Sequence, residues 1–175
     1  MLVVAIILIA VIPIVAGSIR VVPPDSVGLV ERLGRLLPGV RQPGIVLIRP
    51  FIERLLIVPV KAFPVVCETE VDEGGSTRKL TLNADCLIQD PVKFHQNVPP
   101  VPRGGPRESA SGFLGTLMNS EGRALLREMP VGSELFDSYD FSNRLADRLE
   151  WHTRSVGLKV SGIQVARFSK PPKPV

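Results

Sequence analysis

The chain opens with a run of apolar residues that carries no charged side chain. Every residue from Leu2 to Ala16 is apolar or proline, and the first charged residue is Arg20. A helix of about eighteen residues rises about 27 Å, close to the roughly 30 Å hydrocarbon thickness of a bilayer. The pattern therefore predicts a retained membrane anchor over residues 1–20. The residues singled out along this anchor are Leu2, Ile6, Ile9, Pro13 and Ile19.

Two other interpretations of this segment compete with an anchor. A cleaved secretory signal peptide would need basic residues before the apolar run, and none precedes Leu2; Ala16, Gly17 and Ser18 form only a weak cleavage site. A buried core helix would be unusual at the extreme N-terminus, because the segment has no polar face. Pro13 predicts a kink near Ile9, which lipid-buried helices tolerate.

Basic residues lie only on the C-terminal side of the apolar run. Arg20, Arg32 and Arg35 all fall within about twenty residues of its end, and positive charge near a span favours the cytoplasmic side. We therefore expect a single-pass protein of the cell (inner) membrane with a cytoplasmic body; a shallow re-entrant insertion would place the body likewise. These three arginines are also candidate ligands of lipid headgroups, each contributing about 1 kcal/mol. The alternative is a solvated sheet face.

After the anchor, strand patterns precede helix patterns, and a last strand follows. This order predicts an α+β domain over residues 21–168, followed by a Pro-rich tail over residues 169–175. The strand and hairpin segments are Ser26–Leu33, Ile45–Ile48, Arg54–Val60, Phe63–Val71, Lys79–Gln89 and Leu158–Phe168. The helical segments are a short one over Val92–Val98 and longer ones over Glu108–Glu128 and Tyr139–Val156.

Glycine and proline mark the expected breaks between these segments. Gly34–Gly44 and Pro99–Pro106 are predicted to be turn or loop, and Asp72–Ser76 to be a hairpin turn. Asp140 is expected to cap the last helix, whose apolar face carries Phe141, Leu145, Leu149 and His152.

Composition narrows the classes of function. The 175 residues carry a net charge of +4 with a pI near 9.4, which suits a neighbour of anionic lipid. The sequence has no cluster of basic and aromatic residues of the kind that indicates nucleic-acid binding. Cys67 and Cys86 flank the predicted hairpin turn almost symmetrically, so they could lie opposite each other. In a cytoplasmic body they would be buried thiols, whereas in an exported body they could form a disulfide. Their spacing matches no metal motif, and no cofactor is expected.

Several motifs resemble the stomatin, prohibitin and flotillin superfamily, defined by the SPFH or band-7 domain. The stretch PPDSVGLVERLGR over residues 23–35 is followed by Pro43-Gly44 and by RPFIER over residues 49–54. Asp90-Pro91 is similar to the "DP" step of the family. Val156–Val160 is similar to its "W-G-(I/L)-x-V" motif, although Trp151 here is separated from Gly157.

The resemblance implies a membrane-tethered, non-catalytic scaffold. Family members usually continue into a long Ala/Glu-rich helix that builds rings or cages, and this short form ends soon after the last strand. That implies an accessory subunit docked on a larger integral-membrane complex, with a respiratory assembly or a membrane AAA protease as partner by family analogy. The alternative is a self-associating organiser of membrane lipid microdomains. Whether the chain forms homo-oligomers is left open.

The remaining candidate residues match no known catalytic or metal-binding motif. His95 and His152 lie near no Ser or Cys in a recognisable motif, and no carboxylates form a catalytic or metal pattern, so we expect no enzyme activity. The stiff Pro-rich segment is a candidate docking loop. Its proposed contact residues are Pro102, Arg103 and Arg107.

Overall fold

The computed structural model describes residues 17–73, 76–102, 104–128 and 138–169. The strands are β1 Ile19–Val22, β2 Ser26–Arg32, β3 Arg35–Arg41, β4 Gly44–Leu47, β5 Glu53–Pro59, β6 Phe63–Glu73, β7 Ser76–Ile88 and β8 Leu158–Ser169. The helices are α1 Pro91–Asn97, α2 Pro106–Glu128 and α3 Ser138–Ser155. All strand pairs among these residues are antiparallel, which confirms the α+β prediction.

The chain divides into two compact units. Unit 1 ends at Lys61 and unit 2 begins at Ala62. Among the residues that the structure covers, no helix is long and apolar enough to cross a bilayer. The predicted anchor residues Leu2, Ile6, Ile9 and Pro13 lie outside the described ranges.

Unit 1 consists of a two-stranded ribbon, β1–β4, and a three-stranded sheet in the order β3–β2–β5. The central strand β2 is buried over Val27–Val30. Gly28 allows the ribbon to approach, because a Cβ there would lie 2.8 Å from Leu55 and 3.1 Å from the buried Val22. The ribbon therefore packs across the middle of β2 and completes the core of the unit.

Unit 2 places α2 and α3 on one face of the sheet β6–β7–β8. Alternate residues of β6 and β7 point inward, as the period-two pattern of Lys79–Gln89 predicts. On α3, Phe141, Leu145 and Leu149 are fully buried, which confirms the predicted apolar face, while His152 is half-buried at its end. This helix face packs against β8 and α2 and so contributes to the core of unit 2.

Some predicted element boundaries are wrong. Ile19 lies in β1, where it pairs with Leu47, and not in an anchor helix. The predicted turn region Gly34–Gly44 contains β3, because pairing with β2 satisfies its backbone despite Pro38 and Gly39; β3 is an edge strand, where proline is tolerated.

Two helix starts also differ from expectation. The helix α2 begins at Pro106, inside the predicted loop, because proline suits a first helical turn and the Glu108 carboxylate accepts the Gly105 N–H at 2.8 Å. Asp140 is not the cap of α3 but lies within its first turn, where its carboxylate pairs with Arg144.

Candidate functional site

One end of unit 1 exposes large apolar side chains that nothing in the unit covers. Leu33 is 80% exposed and Phe51 is 92% exposed, and Ile52 is exposed beside them. The Leu33 N–H donates to the Ile52 carbonyl at 3.2 Å, and the three residues line one shallow depression. We call Leu33, Phe51 and Ile52 the apolar tip. Adjacent exposed apolar groups of this size mark a contact surface more often than a free one.

The backbone holds two of these side chains in unfavourable conformations. Leu33 has φ +48° and Phe51 has φ +73°, the left-handed region that bulky side chains rarely adopt. Leu33 and Gly34 form the two-residue turn between β2 and β3, where Asn or Gly would be preferred at the first position. The exposed Leu33 and Phe51 side chains contribute little to packing, so their strained backbone positions indicate a contact surface.

The ribbon adds a second apolar surface. Ile19 pairs with Leu47 and Val21 pairs with Ile45, and all four side chains are exposed on one face. We call these four residues the ribbon face. On the opposite face Val22 is buried, whereas Arg20 is exposed.

The tip lies beside the point where the chain enters unit 1. The Ile48 N–H donates to the Ser18 carbonyl at 2.8 Å, and a methyl group on Gly17 would lie 3.8 Å from Pro50 Cβ. Because Phe51 follows Pro50 directly, Gly17 of the predicted anchor lies next to the segment that carries Phe51.

The structure pairs two of the predicted headgroup arginines, Arg32 and Arg35, across β2 and β3, and places the third, Arg20, on the ribbon. Arg20 is exposed on the ribbon, and Arg35 is exposed beside the Leu33–Gly34 turn. Arg32 is instead engaged by Glu53, whose Oε1 accepts from Arg32 Nε at 3.0 Å and from Nη2 at 2.6 Å. Arg32 therefore serves first to hold β2 and β5 together. Binding of lipid headgroups by Arg20, Arg32 and Arg35 stays a prediction.

Glu53 is the most strongly held carboxylate of this end. Its other oxygen accepts the Arg49 N–H at 2.7 Å, and its side chain is only 7% exposed. The Arg49 N–H bond first, and the Arg32 guanidinium second, hold the pKa of Glu53 below its ordinary value of 4.5. A charged Glu53 thus ties the loop before β5 to β2.

The predicted docking loop is folded onto the start of α2. Pro102 is exposed, while Arg103 lies outside the described residues. Arg107 belongs to α2, and its guanidinium lies 5.1 Å from the ring centroid of Phe63, a cation–π contact. The Val101 N–H also donates to Ser109 Oγ at 3.0 Å. Docking through this loop stays a prediction.

The cysteines do not lie opposite each other. Cys86 pairs with Phe63 and Cys67 with Leu82, so the two are four positions apart along the hairpin, too far for a disulfide. Both are buried thiols, as favoured for a cytoplasmic body. Burial raises the pKa of Cys86 to about 12, and it also raises the pKa of Cys67, whose thiol donates to the Gly115 carbonyl.

The described residues form no group of His, Cys, Asp and Glu that could hold a metal ion. His152 Nδ1 lies 3.2 Å from the Arg148 carbonyl, and its ring packs edge-on against Trp151 at 5.1 Å. His95 lies half-buried on the short helix α1. Neither histidine is placed with a nucleophile by these contacts.

Sequence reasoning missed the apolar tip. The sequence places Phe51 and Ile52 in a family motif and predicts Leu33 at the end of a strand, and neither pattern marks these side chains as a contact surface. The available signal was the pair of turn segments, Leu33–Gly34 and Arg49–Phe51, each carrying a large apolar residue where turns normally carry polar ones.

Comparison with known proteins agrees with the motifs. No curated protein matches the chain. The family model of the SPFH domain / Band 7 family matches residues 20–173, which includes both units and begins at the ribbon. The chain therefore belongs to the SPFH domain / Band 7 family, as the motifs from Pro23 to Arg54 indicated.

Proposed function

We propose that this protein is a non-catalytic, membrane-attached scaffold subunit whose unit 1 rests on the bilayer surface. Membership of the SPFH domain / Band 7 family supports a membrane-associated scaffold in general terms. The observation that carries the proposal is the position of Phe51 in the apolar tip next to Pro50, which lies against Gly17 near the C-terminal end of the predicted anchor. A span ending at Gly17 brings Phe51 to the interface, where its exposure to water is relieved.

The charges near the tip are consistent with a lipid surface. Arg35 and Arg54 are exposed and lie within two residues of Leu33 and Ile52 along the chain. Basic residues next to apolar insertion points favour anionic lipid. With basic residues only after the apolar run, we place the body on the cytoplasmic side of the inner membrane as a single-pass protein.

We further propose that the scaffold docks on a larger integral-membrane complex. The ribbon face, with Ile45 and Leu47 both exposed, supplies an apolar surface close to the bilayer. Unit 2 supplies Trp151, which is 74% exposed on α3, and exposed tryptophan is enriched among residues that dominate interfaces. By resemblance the partner is a respiratory assembly or a membrane AAA protease.

Two measurements test the proposal. The full-length chain should stay in the membrane pellet after alkaline carbonate washing, and it should co-purify with a membrane complex in mild detergent. Release of the intact chain by carbonate would contradict membrane attachment. Elution as a large particle that contains only this chain would favour the self-associating lipid-domain organiser instead.

A further inference from the structure

A basic cavity that is open to solvent lies on unit 1, between the ribbon and the three-stranded sheet. Its volume is about 420 Å³, within the roughly 300–1,000 Å³ range of small-molecule sites. Three arginines and one acidic residue line it: Arg32, Arg41, Arg49 and Glu53. The formal charge of this lining is +2, three positive charges less one negative charge.

Glu53 does not neutralise the whole set. It accepts hydrogen bonds from the Arg32 side chain and the Arg49 backbone N–H, and its charge also acts through space on the Arg49 guanidinium without forming an ion pair within 4.0 Å. Among the residues that the structure describes, Arg41 and the Arg49 guanidinium form no ion pair within 4.0 Å, and both residues are exposed. Two guanidinium groups are thus available to an anion, and guanidinium groups bind phosphate through paired hydrogen bonds.

The rest of the lining is aliphatic. Leu37, Leu47 and Ile48 contribute side chains to the same cavity. Inorganic phosphate has no apolar surface to bury against these aliphatic residues, so they add nothing to its binding free energy. The glycerol and upper acyl carbons of a phospholipid do bury apolar area there. Ser18, near the C-terminal end of the predicted anchor, also lines the cavity, so the proposed attachment would bring the cavity close to lipid phosphates.

We propose that this cavity binds the phosphate-bearing headgroup of an anionic phospholipid, with Arg41 and Arg49 as the phosphate ligands. Arg32 and Glu53 act as positioning residues that fix the loop carrying Arg49. The proposal rests on the proposed membrane attachment and adds a specific lipid to it. Nonspecific attraction to a charged bilayer would need no cavity. Specific headgroup binding in the cavity can therefore be measured separately from that attraction.

The test is a titration of the full-length chain in neutral detergent. Short-chain dihexanoyl phosphatidylglycerol should bind at least roughly tenfold more tightly than dihexanoyl phosphatidylcholine, as read by native mass spectrometry. The double variant Arg41→Gln/Arg49→Gln should lose this preference. Arg41→Lys/Arg49→Lys should keep part of it, because the charges stay while the paired geometry is lost.

The matched control is Arg20→Gln/Arg54→Gln, which removes the same charge from unit 1 outside the cavity and should keep the preference. If Arg41→Gln/Arg49→Gln and Arg20→Gln/Arg54→Gln lose the preference for phosphatidylglycerol equally, the proposal is overturned in favour of diffuse electrostatic attraction. Binding of inorganic phosphate as tight as that of phosphatidylglycerol would overturn it in favour of a free-phosphate site. Circular dichroism confirms that each variant is folded, and the Lys pair supplies the comparison if the Gln pair is not.

Carbonate washing separates the two proposals. Arg41→Gln/Arg49→Gln should stay in the membrane pellet, because the predicted anchor is intact. Release of the unaltered chain by carbonate would contradict membrane attachment alone, since the titration reports on the cavity without a bilayer. An unaltered chain that stays in the pellet but shows no lipid preference would contradict the cavity proposal alone.

Discussion

The Glu53 carboxylate makes the stability of unit 1 depend on pH in the acidic range. Glu53 accepts hydrogen bonds from Arg32, 21 positions earlier in the chain, and from the Arg49 backbone. Because these bonds hold the folded pKa of Glu53 below its ordinary value of 4.5, the folded state binds fewer protons than the unfolded state near that pH. The resulting stability is fully present above about pH 4.5 and is lost as the pH falls through the lowered pKa.

We therefore expect Glu53→Gln to destabilise unit 1 at pH 7 and to flatten its response to acid. Hydrogen exchange of the β2 and β5 amides, corrected for the intrinsic effect of pH, would measure this. The control is Glu31→Gln, on the same strand pair, since the Glu31 side chain forms no hydrogen bond or ion pair with any described residue. Equal acid sensitivity in the Glu53→Gln variant and the parent chain would contradict the assignment.

At the scale of elements, the junction of α3 and β8 depends on one glycine. Gly157 has φ +78°, and a Cβ there would lie 2.5 Å from the Asp90 carbonyl oxygen. The Gly157 carbonyl also accepts the N–H groups of Gln89 and Asp90 at 3.0 Å. This position therefore ends α3 and also joins it to the segment before α1.

Gly157→Ala should lower the free energy of unfolding by about 2 kcal/mol or more, from backbone strain plus the contact with Asp90. The matched control is Gly112→Ala in α2, where a Cβ meets nothing within 4 Å. That change should stabilise by about 0.5–1 kcal/mol, because alanine is the better helix former. Urea denaturation followed by Trp151 fluorescence measures the free energy of unfolding of both variants. If Gly157→Ala and Gly112→Ala change it by the same amount in the same direction, the special role of Gly157 is refuted.

Elements with regular patterns were predictable from the sequence. The alternation of β7 and the apolar face of α3 identify their buried residues directly, because burial there follows the local period. Strand β3 was not predictable, since Pro38 and Gly39 are turn signals and only pairing with β2 overrides them. The Arg32–Glu53 pair and the cavity were also out of reach, since they depend on long-range register between β2 and β5.

At the scale of the whole molecule, the proposed attachment predicts where the surface of unit 1 meets lipid. With Phe51→Trp and Trp151→Phe, the chain has one tryptophan, at the apolar tip. After reconstitution its emission should shift to shorter wavelength, and shallow brominated lipids should quench it. Water-like emission with full quenching by iodide would show that the tip does not enter the bilayer.

A companion variant separates insertion from stability. Leu33→Asn/Phe51→Asn should leave unit 1 as stable as the parent or raise its stability by up to about 1 kcal/mol, because asparagine tolerates positive φ better. The same change should weaken surface contact, since burying one such apolar side chain contributes roughly 1.5–3 kcal/mol. Thermal unfolding in detergent measures the first effect, and a loss of stability would mean that the tip packs within the fold.

The hydrogen bond from Ile48 to Ser18 has a mechanical consequence. Strand β1 starts at Ile19, so a membrane helix ending at Gly17 would join unit 1 with no slack between them. Torque on such a helix would pass straight into the ribbon, and a partner pressing on unit 1 would tilt the helix in turn. Inserting a few glycines after Gly17 would uncouple the two motions while leaving every surface intact.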